Sequence, residues 1–174
     1  MDNTELARRI RDAAYLEGDF VLRSGRRSRY YLDKYLFAAE PDILAELGRR
    51  FAQRLGEAEL VAGAELGAVS LAAATSLESG RPFVIVRKAA KDYGTSKRIE
   101  GPDAAGRRVM LVEDIGTTAG AALEAAATLT EAGAEITRIV FAIDRQEGAR
   151  ENVESAGHAF DAILTRADLE SAGR

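Results

Sequence analysis

The sequence predicts a single α/β domain built on a mostly parallel sheet. Short apolar segments alternate with longer amphipathic or Ala-rich segments, and Gly, Pro or charged residues separate them. Strands that alternate with helices in this way form parallel sheets that carry helices on both faces. A length of 174 residues fits one domain, large enough to bury about 70% of the surface of the unfolded chain. Since no internal repeat or low-complexity segment interrupts the chain, we expect one domain over residues 1–174.

The N-terminal part of the chain predicts a helix followed by a hairpin. Residues 4–16 place their apolar side chains on one face of a helix. Two short strands, at residues 20–23 and 29–32, are joined by a turn that contains Gly25. Pro41 then begins a second helix, which ends near residue 55, because proline is favoured in the first turn of a helix.

The remainder of the chain predicts five strands, at residues 60–64, 83–86, 108–112, 136–143 and 160–165. Helices are predicted up to about residue 78, at residues 118–132 and at residues 147–156, before a terminal turn. Residues 89–103 are polar and lack apolar periodicity, so we expect a long mobile loop, which usually serves a function. Ligands of parallel sheets bind beyond the carboxyl ends of the strands. Charged residues at or just past these ends are expected to meet in one crevice: Glu65, Arg87, Glu113, Asp114 and Arg145.

The composition excludes several classes of site. The chain has no cysteine, which excludes disulfides, thiolate zinc sites and cysteine nucleophiles. A single histidine, His158, argues against histidine-based catalysis and against multi-histidine metal sites. The formal net charge of −4 argues against binding to nucleic acid or to a membrane surface. No apolar run reaches about 18 residues and no leader-like start is present, so we expect a cytoplasmic protein.

Two windows of this acidic chain are strongly basic. Residues 23–34 and residues 87–98 each contain five Lys or Arg side chains against one Asp. A pair of such clusters suits a compact polyanionic ligand such as pyrophosphate, whereas the alternative is two solvated loops.

Residues 109–122, VMLVEDIGTTAGAA, carry the strongest functional signal. An apolar strand ends in two carboxylates, Glu113 and Asp114, and a turn of small residues leads into an Ala-rich helix. Free N–H groups and the positive end of a helix dipole attract phosphate, and Thr hydroxyls add further donors. Two carboxylates can accept hydrogen bonds from vicinal sugar hydroxyls. The pattern therefore favours a phosphorylated sugar, the alternative being an ordinary strand-to-helix turn with two solvated acids.

Four segments together resemble the orotate phosphoribosyltransferase branch of the type I phosphoribosyltransferases. They are LRSGRRSRYYLDKYLF, VRKAAKDYGTSKRIEG, LVEDIGTTAGAA and IDRQEGARE, in the order and spacing of that family. The resemblance covers nearly the whole chain. It implies a central, mostly parallel sheet flanked by helices, with a small N-terminal hood (residues 1–38) formed by a helix and a hairpin. It also implies that residues 88–103 form a mobile active-site loop.

The resemblance also implies an activity. Enzymes of this branch convert orotate and 5-phosphoribosyl 1-pyrophosphate (PRPP) to orotidine 5-phosphate and pyrophosphate, a step of pyrimidine synthesis that leads to UMP. The implied cofactor is Mg²⁺, bound mainly through the substrate and water rather than by protein ligands. The implied assembly is a homodimer whose active sites are shared across subunits. A phosphoribosyltransferase for another nucleobase and a non-catalytic PRPP-sensing regulator are the alternatives.

The matching positions carry implied roles. Glu113 and Asp114 match the pair that holds the ribose hydroxyls, and with Lys91 they form the implied catalytic set. The 5-phosphate positions are Thr117, Thr118, Ala119, Gly120 and Ala121. The pyrophosphate positions are Arg87, Lys88, Lys91, Ala64, Glu65, Leu66 and Gly67, with Lys91 reaching into the neighbouring subunit. The orotate positions are Arg23, Tyr30, Tyr31, Thr117 and Arg145.

Four positions depart from the family pattern. Gly116 stands where an aliphatic residue is common, Ala119 where glycine is usual, Tyr93 where many members have histidine, and Leu66 where some have lysine. If residue 119 requires a positive φ, alanine there would cost about 1 kcal/mol. We expect these changes to leave the fold intact and to bear on catalytic efficiency.

Overall fold

The computed structural model describes residues 1–21, 27–89 and 98–173. Eight strands and seven helices are assigned within these ranges. They are α1 (Asn3–Ala14), β1 (Tyr15–Val21), β2 (Arg27–Leu32), α2 (Lys34–Ala39), α3 (Pro41–Ala52), β3 (Leu60–Ala64), α4 (Val69–Ser79), β4 (Phe83–Val86), β5 (Ile99–Glu100), β6 (Arg108–Gly116), α5 (Gly120–Glu131), β7 (Glu135–Asp144), α6 (Ala149–Ser155), β8 (Phe160–Thr165) and α7 (Arg166–Ser171).

The central sheet has six strands in the order β5-β4-β3-β6-β7-β8. Neighbouring strands from β4 to β8 are parallel, and the short edge strand β5 is antiparallel to β4. The hairpin β1–β2 forms a separate antiparallel sheet. The predicted α/β architecture, with an N-terminal helix and hairpin, is therefore confirmed.

Both faces of the central sheet are buried, because successive strand residues alternate between two apolar clusters. On β6, Met110 and Val112 belong to the cluster that contains the apolar residues of α1, α3 and α7. Val109 and Leu111 belong to the cluster that contains those of α5 and α6. The helix α1 thus packs into one of the two main cores.

The N-terminal boundaries differ from the prediction. The predicted helix at residues 4–16 ends at Ala14, because Tyr15 adopts an extended backbone and pairs with Leu32 at the start of the hairpin. The six-residue helix α2 was not predicted, and the predicted terminal turn is the helix α7. Both helices begin at side-chain caps, Asp33 for α2 and Thr165 for α7, which satisfy free N–H groups of the first turn.

Two further boundaries bear on the site. Residues 89–103 were predicted to be a loop throughout, but Ile99 and Glu100 pair with β4 as the strand β5. Residues 90–97 of that predicted loop lie outside the described residues. The strand β6 was predicted to end at Val112, but it stays paired with β7 as far as Gly116. Among the described residues, no helix is long and apolar enough to cross a membrane.

Candidate active site

The carboxyl ends of four adjacent parallel strands carry the predicted site residues. Glu65 follows β3, Arg87 follows β4, Arg145 follows β7, and the pair Glu113–Asp114 lies near the end of β6. Because these strands are parallel neighbours, their ends lie along one edge of the sheet. The structure therefore places these residues along one edge of the sheet, and their meeting in one crevice stays a prediction.

The acidic pair is buried within β6 rather than exposed beyond it. Glu113 and Asp114 retain 7% and 3% of their accessible surface. The N–H of Asp114 donates to Glu113 Oε1 over 3.2 Å, and the N–H of Ile115 donates to Asp114 Oδ1 over 2.6 Å. Burial and the neighbouring Asp114 charge raise the pKa of Glu113 to about 8. The alternative of two solvated acids is therefore wrong, since both carboxylates are buried.

A lysine outside the predicted set contacts this pair. Lys34 Nζ, at the start of α2, lies 2.9 Å from Asp114 Oδ2. Gly67 provides the space for this contact, since a Cβ atom at that position would lie 1.8 Å from Asp114 Oδ2 and 3.1 Å from Lys34 Cε. The strand β6, the 64–67 loop and α2 therefore meet at one carboxylate.

The predicted phosphate loop joins β6 to α5. Ala119 has φ 61° and ψ 17°, a left-handed conformation in which alanine carries strain. It caps α5 without a side-chain hydrogen bond, so the first N–H groups of this 12-residue helix have no side-chain acceptor at the cap. Asn152 Nδ2 on α6 donates to the carbonyl oxygen of Thr118 over 3.0 Å. This geometry suits a bound anion, and the phosphate role of residues 117–121 stays a prediction.

The predicted pyrophosphate side contains a salt-bridged carboxylate. A non-proline cis peptide bond joins Glu65 to Leu66. Glu65 Oε1 accepts a hydrogen bond from the N–H of Lys88 over 2.6 Å, and Arg87 Nε lies 3.8 Å from Glu65 Oε2. Arg87 also pairs with Glu100 over 3.5 Å. Lys91 lies outside the described residues.

The predicted base side brings Tyr30 and Arg145 together. Arg145 Nη2 donates to Tyr30 Oη over 3.1 Å and pairs with Glu147 Oε1 over 3.0 Å. Arg145 Nε is buried and has no hydrogen-bond partner among the described residues, which leaves a donor for an anionic ligand. The Tyr30 ring stacks on Tyr15 with a centroid separation of 4.9 Å.

The other predicted base residues are placed differently. Tyr31 is half exposed and packs on Phe20, on the opposite side of β2 from Tyr30, as expected for neighbours in a strand. Arg23 lies outside the described residues. Thr117 follows Gly116, whose carbonyl oxygen accepts a hydrogen bond from the N–H of Arg145 over 2.8 Å. This bond places Thr117 close in sequence to a backbone contact with Arg145.

Sequence reasoning missed three residues that contact the predicted set. Lys34 was counted in a basic window but not assigned, Tyr15 was placed in a helix, and Asn152 was not singled out. The start of α2 at Lys34 could have been predicted, because Lys34 directly follows Asp33, a possible helix cap. Within the described residues, no group of three or more His, Asp or Glu side chains is arranged to hold a metal ion.

Comparison with known proteins gives one consistent family. A family model for the phosphoribosyl transferase domain matches residues 37–165. An orotate phosphoribosyltransferase of Natronomonas pharaonis is 45% identical over 170 residues, which cover 97% of this chain and 98% of that protein. The crystal structure of Mycobacterium tuberculosis H37Rv orotate phosphoribosyltransferase with Fe(III) dicitrate has a TM-score of 0.88 at 34% identity, covering 97% of this chain and 99% of that chain.

A second crystal structure of the Mycobacterium tuberculosis H37Rv enzyme was obtained with 5-phospho-alpha-D-ribosyl 1-diphosphate. It has a TM-score of 0.84 at 32% identity and covers 98% of this chain and 99% of that chain. Both solved structures therefore share the fold along nearly their full length. The chain belongs to the phosphoribosyltransferase family, in its orotate phosphoribosyltransferase branch.

Proposed function

We propose that the protein converts orotate and PRPP to orotidine 5-phosphate and pyrophosphate in pyrimidine biosynthesis. The observation that carries this proposal is the position of the buried pair Glu113–Asp114 on β6. The pair lies between Arg87 and Lys88, which follow β4, and the Tyr30–Arg145 contact, which follows β7. A phosphorylated sugar held by the pair thus has cations on one side and a recognition site for an anionic ring on the other.

The ribose is held from two directions in this proposal. Its vicinal hydroxyls donate to carboxyl oxygens of Glu113 and Asp114. Its 5-phosphate binds the N–H groups at the start of α5 and the hydroxyls of Thr117 and Thr118. These contacts fix the anomeric carbon, so that positioning contributes a large part of the rate enhancement.

The chemistry requires no covalent nucleophile. As pyrophosphate leaves, positive charge develops on the ribose ring and negative charge develops on the leaving oxygens. The leaving group is stabilised by cations. Arg87 and Lys88 are fixed at the end of β4, and Lys91 arrives when the loop closes, so that the three charges stabilise the transition state. Lys91 lies in the proposed mobile loop, whose closure would also exclude water from the ribose cation.

The base site is matched to a planar anion. Arg145 presents a rigid guanidinium whose buried Nε has no hydrogen-bond partner among the described residues. Tyr30 is held flat by stacking on Tyr15, with an interplanar angle of 6°. These features favour orotate over neutral nucleobases.

Mg²⁺ fits this site as an ion carried by the substrate. The acidic side chains near the ribose position are Glu113 and Asp114, and in the described parts of the chain no group of three or more His, Asp or Glu side chains is arranged to hold a metal ion. Mg²⁺ prefers six oxygens and keeps several waters, so pyrophosphate and ribose oxygens would complete its shell. When bound, the ion neutralises the charge of the leaving pyrophosphate, while Glu113 and Asp114 hold the hydroxyls.

The assembly in this proposal is a homodimer in the cytoplasm, with Lys91 acting in the site of the partner subunit. The exposed apolar side chains of Tyr35, Leu36 and Leu66 near the site offer surface for such an interface. Mixing Lys91→Ala with Asp114→Asn protein tests the sharing of sites. Statistical exchange of subunits would restore about one quarter of wild-type activity, because one site of each mixed dimer is intact. If no activity returns after verified exchange, the sites are not shared.

The first experiment is an assay of orotate absorbance with PRPP and Mg²⁺. We expect turnover by the wild type, loss of turnover in Lys91→Ala, and no turnover with uracil or adenine in place of orotate. The variant Arg54→Met removes a cation that pairs with Asp161 far from the site and serves as the control. PRPP binding by calorimetry without any turnover would instead favour the sensor, and turnover of another base would favour the related transferase.

A further inference from the structure

Lys34, in the N-terminal hood (residues 1–38), is joined to Asp114 on β6 by an ion pair. Its side chain is 36% exposed, whereas the Asp114 side chain that it contacts is 4% exposed. The Nζ–Oδ2 distance of 2.9 Å is that of a close ion pair. The proposed function places Asp114 at the ribose but gives Lys34 no role.

The two oxygens of Asp114 are held by different parts of the chain. Oδ1 accepts from the N–H of Ile115 over 2.6 Å, and Oδ2 contacts Lys34. The close approach at Gly67 leaves the carboxylate no room to turn toward the 64–67 loop, since a Cβ atom there would collide with Oδ2. The backbone, the hood and the loop therefore together set the plane of this carboxylate.

The charges around Asp114 make this contact consequential. Glu113 is adjacent on the same strand, and two buried carboxylates side by side disfavour each other's ionised forms. Among the described residues, the cations that act on the pair are Lys34 from α2 and Lys88 from the exit of β4. The Tyr35 ring centroid lies 5.6 Å from Lys34 Nζ. Burial disfavours the Lys34 ammonium, but the hydrogen bond and charge of Asp114 outweigh it and raise the pKa of Lys34. Lys34 therefore stays charged at neutral pH.

We propose that Lys34 is a positioning residue for ribose recognition, which holds Asp114 oriented toward the ribose hydroxyls. This inference rests on the proposed function, because it assigns Asp114 to the sugar of PRPP. Lys34 acts through Asp114 and does not itself carry the reaction. Its effect is consequently confined to PRPP and does not extend to orotate.

The kinetic test compares Lys34→Met with Lys34→Arg. Loss of the ammonium is expected to raise KM for PRPP about 10-fold, which is the scale of a hydrogen bond to a charged group, with KM for orotate unchanged. The acid limb of kcat/KM for PRPP is expected to move to higher pH, because the Lys34 charge, which lowers the pKa of Glu113, is lost. Lys34→Arg is expected to restore both quantities, since it keeps the charge.

Arg54→Met is the matched control. Arg54 is also a half-buried cation that joins a carboxylate of another element, Asp161, over 3.0 Å, but it lies away from the site. We expect it to leave KM for PRPP and the pH profile as in the wild type. Thermal unfolding of all four proteins verifies that each one is folded.

A second readout needs no turnover. Carboxyl ¹³C shifts of the free protein, assigned with Glu113→Gln and Asp114→Asn, report the titration of Glu113 directly. Lys34→Met is expected to raise the titration midpoint of Glu113, because the Lys34 charge lowers the pKa of that carboxyl, and an unchanged midpoint would overturn the inference. An active Lys34→Met enzyme with wild-type KM for PRPP would overturn the Lys34 role alone. A wild type that neither binds nor turns over PRPP would overturn the proposed function together with it.

Discussion

Asn152 donates a hydrogen bond from Nδ2 to the carbonyl oxygen of Thr118, with a donor–acceptor distance of 3.0 Å. The bond connects α6, which follows β7, to the loop that precedes α5. Thr118 directly precedes Ala119, whose left-handed backbone is costly for alanine. The contact therefore holds the loop in a conformation that the loop sequence alone disfavours.

Replacing Asn152 with alanine is expected to weaken PRPP binding while leaving the fold intact. The lost hydrogen bond contributes about 1 kcal/mol, which corresponds to a roughly 5-fold increase in Kd or KM for PRPP. Titration calorimetry with PRPP measures the change. Glu151→Ala, at an exposed neighbour on the same helix, is the control and should bind as the wild type does. Equal affinity of Asn152→Ala and wild type would mean that the loop needs no such support.

Gly116 is expected to be incompatible with the aliphatic residue common in the family unless Phe141 also changes. A Cβ atom at position 116 would lie 3.0 Å from Phe141 Cδ1 and 3.2 Å from Ala149 Cβ. Gly116→Val should therefore destabilise the protein by about 1–3 kcal/mol, although valine favours strands. Denaturant unfolding of both single variants and of the double variant with Phe141→Leu measures the coupling. We expect the double variant to be about 1 kcal/mol more stable than additivity predicts, and simple additivity would contradict this packing argument.

Ala119→Gly is expected to change the free energy of unfolding by less than about 1 kcal/mol. Relief of the left-handed strain gains about 1–2 kcal/mol, whereas the flexible unfolded glycine costs about 0.4–1 kcal/mol and the buried methyl about 0.8 kcal/mol. Gln146 has φ 59° but is exposed, so Gln146→Gly loses no buried methyl group. We therefore expect Gln146→Gly to be the more stabilising of the two in urea unfolding. The reverse order would show that packing does not decide the difference.

Glu113 is expected to make the protein less stable as pH rises from about 4.5 to 8. Its pKa is raised to about 8 by burial and by Asp114, so the folded state binds more protons than the unfolded state in this range. The free energy of unfolding then falls with pH, by at most about 1.4 kcal/mol per pH unit from this group. In Glu113→Gln this loss should be absent, which urea unfolding at several pH values measures. Glu131→Gln, at an exposed glutamate of α5, should retain the wild-type pH dependence.

The sequence predicted the sheet and the crevice because both follow from the order of elements. Once strands at β3, β4, β6 and β7 are parallel, Glu65, Arg87, Glu113 and Arg145 must leave the sheet at the same edge. The two-residue strand β5 escaped prediction, because two residues show no periodicity. The burial of Glu113 also escaped it, since the acidic pair was expected to mark the end of the strand.

Contacts between distant parts of the chain account for the rest. Eighty positions separate Lys34 from Asp114, and nothing in the local pattern of either segment indicates the pair. The open question about Ala119 was settled only by its backbone angle, which depends on how α5 docks on β6. The roles implied for Lys91 and Arg23 stay predictions, because both residues lie outside the described ranges.

The strand order β4-β3-β6-β7 has a stereochemical consequence for the proposed reaction. A ribose held by Glu113 and Asp114 on β6 has Arg87 and Lys88 on one flank and Arg145 on the other. A leaving group and an incoming base bound on opposite flanks meet the anomeric carbon from opposite faces. Displacement in this crevice should therefore invert the configuration at that carbon, so that an α-linked pyrophosphate gives a β-linked nucleotide. The order of the strands would then determine the anomeric configuration of the product.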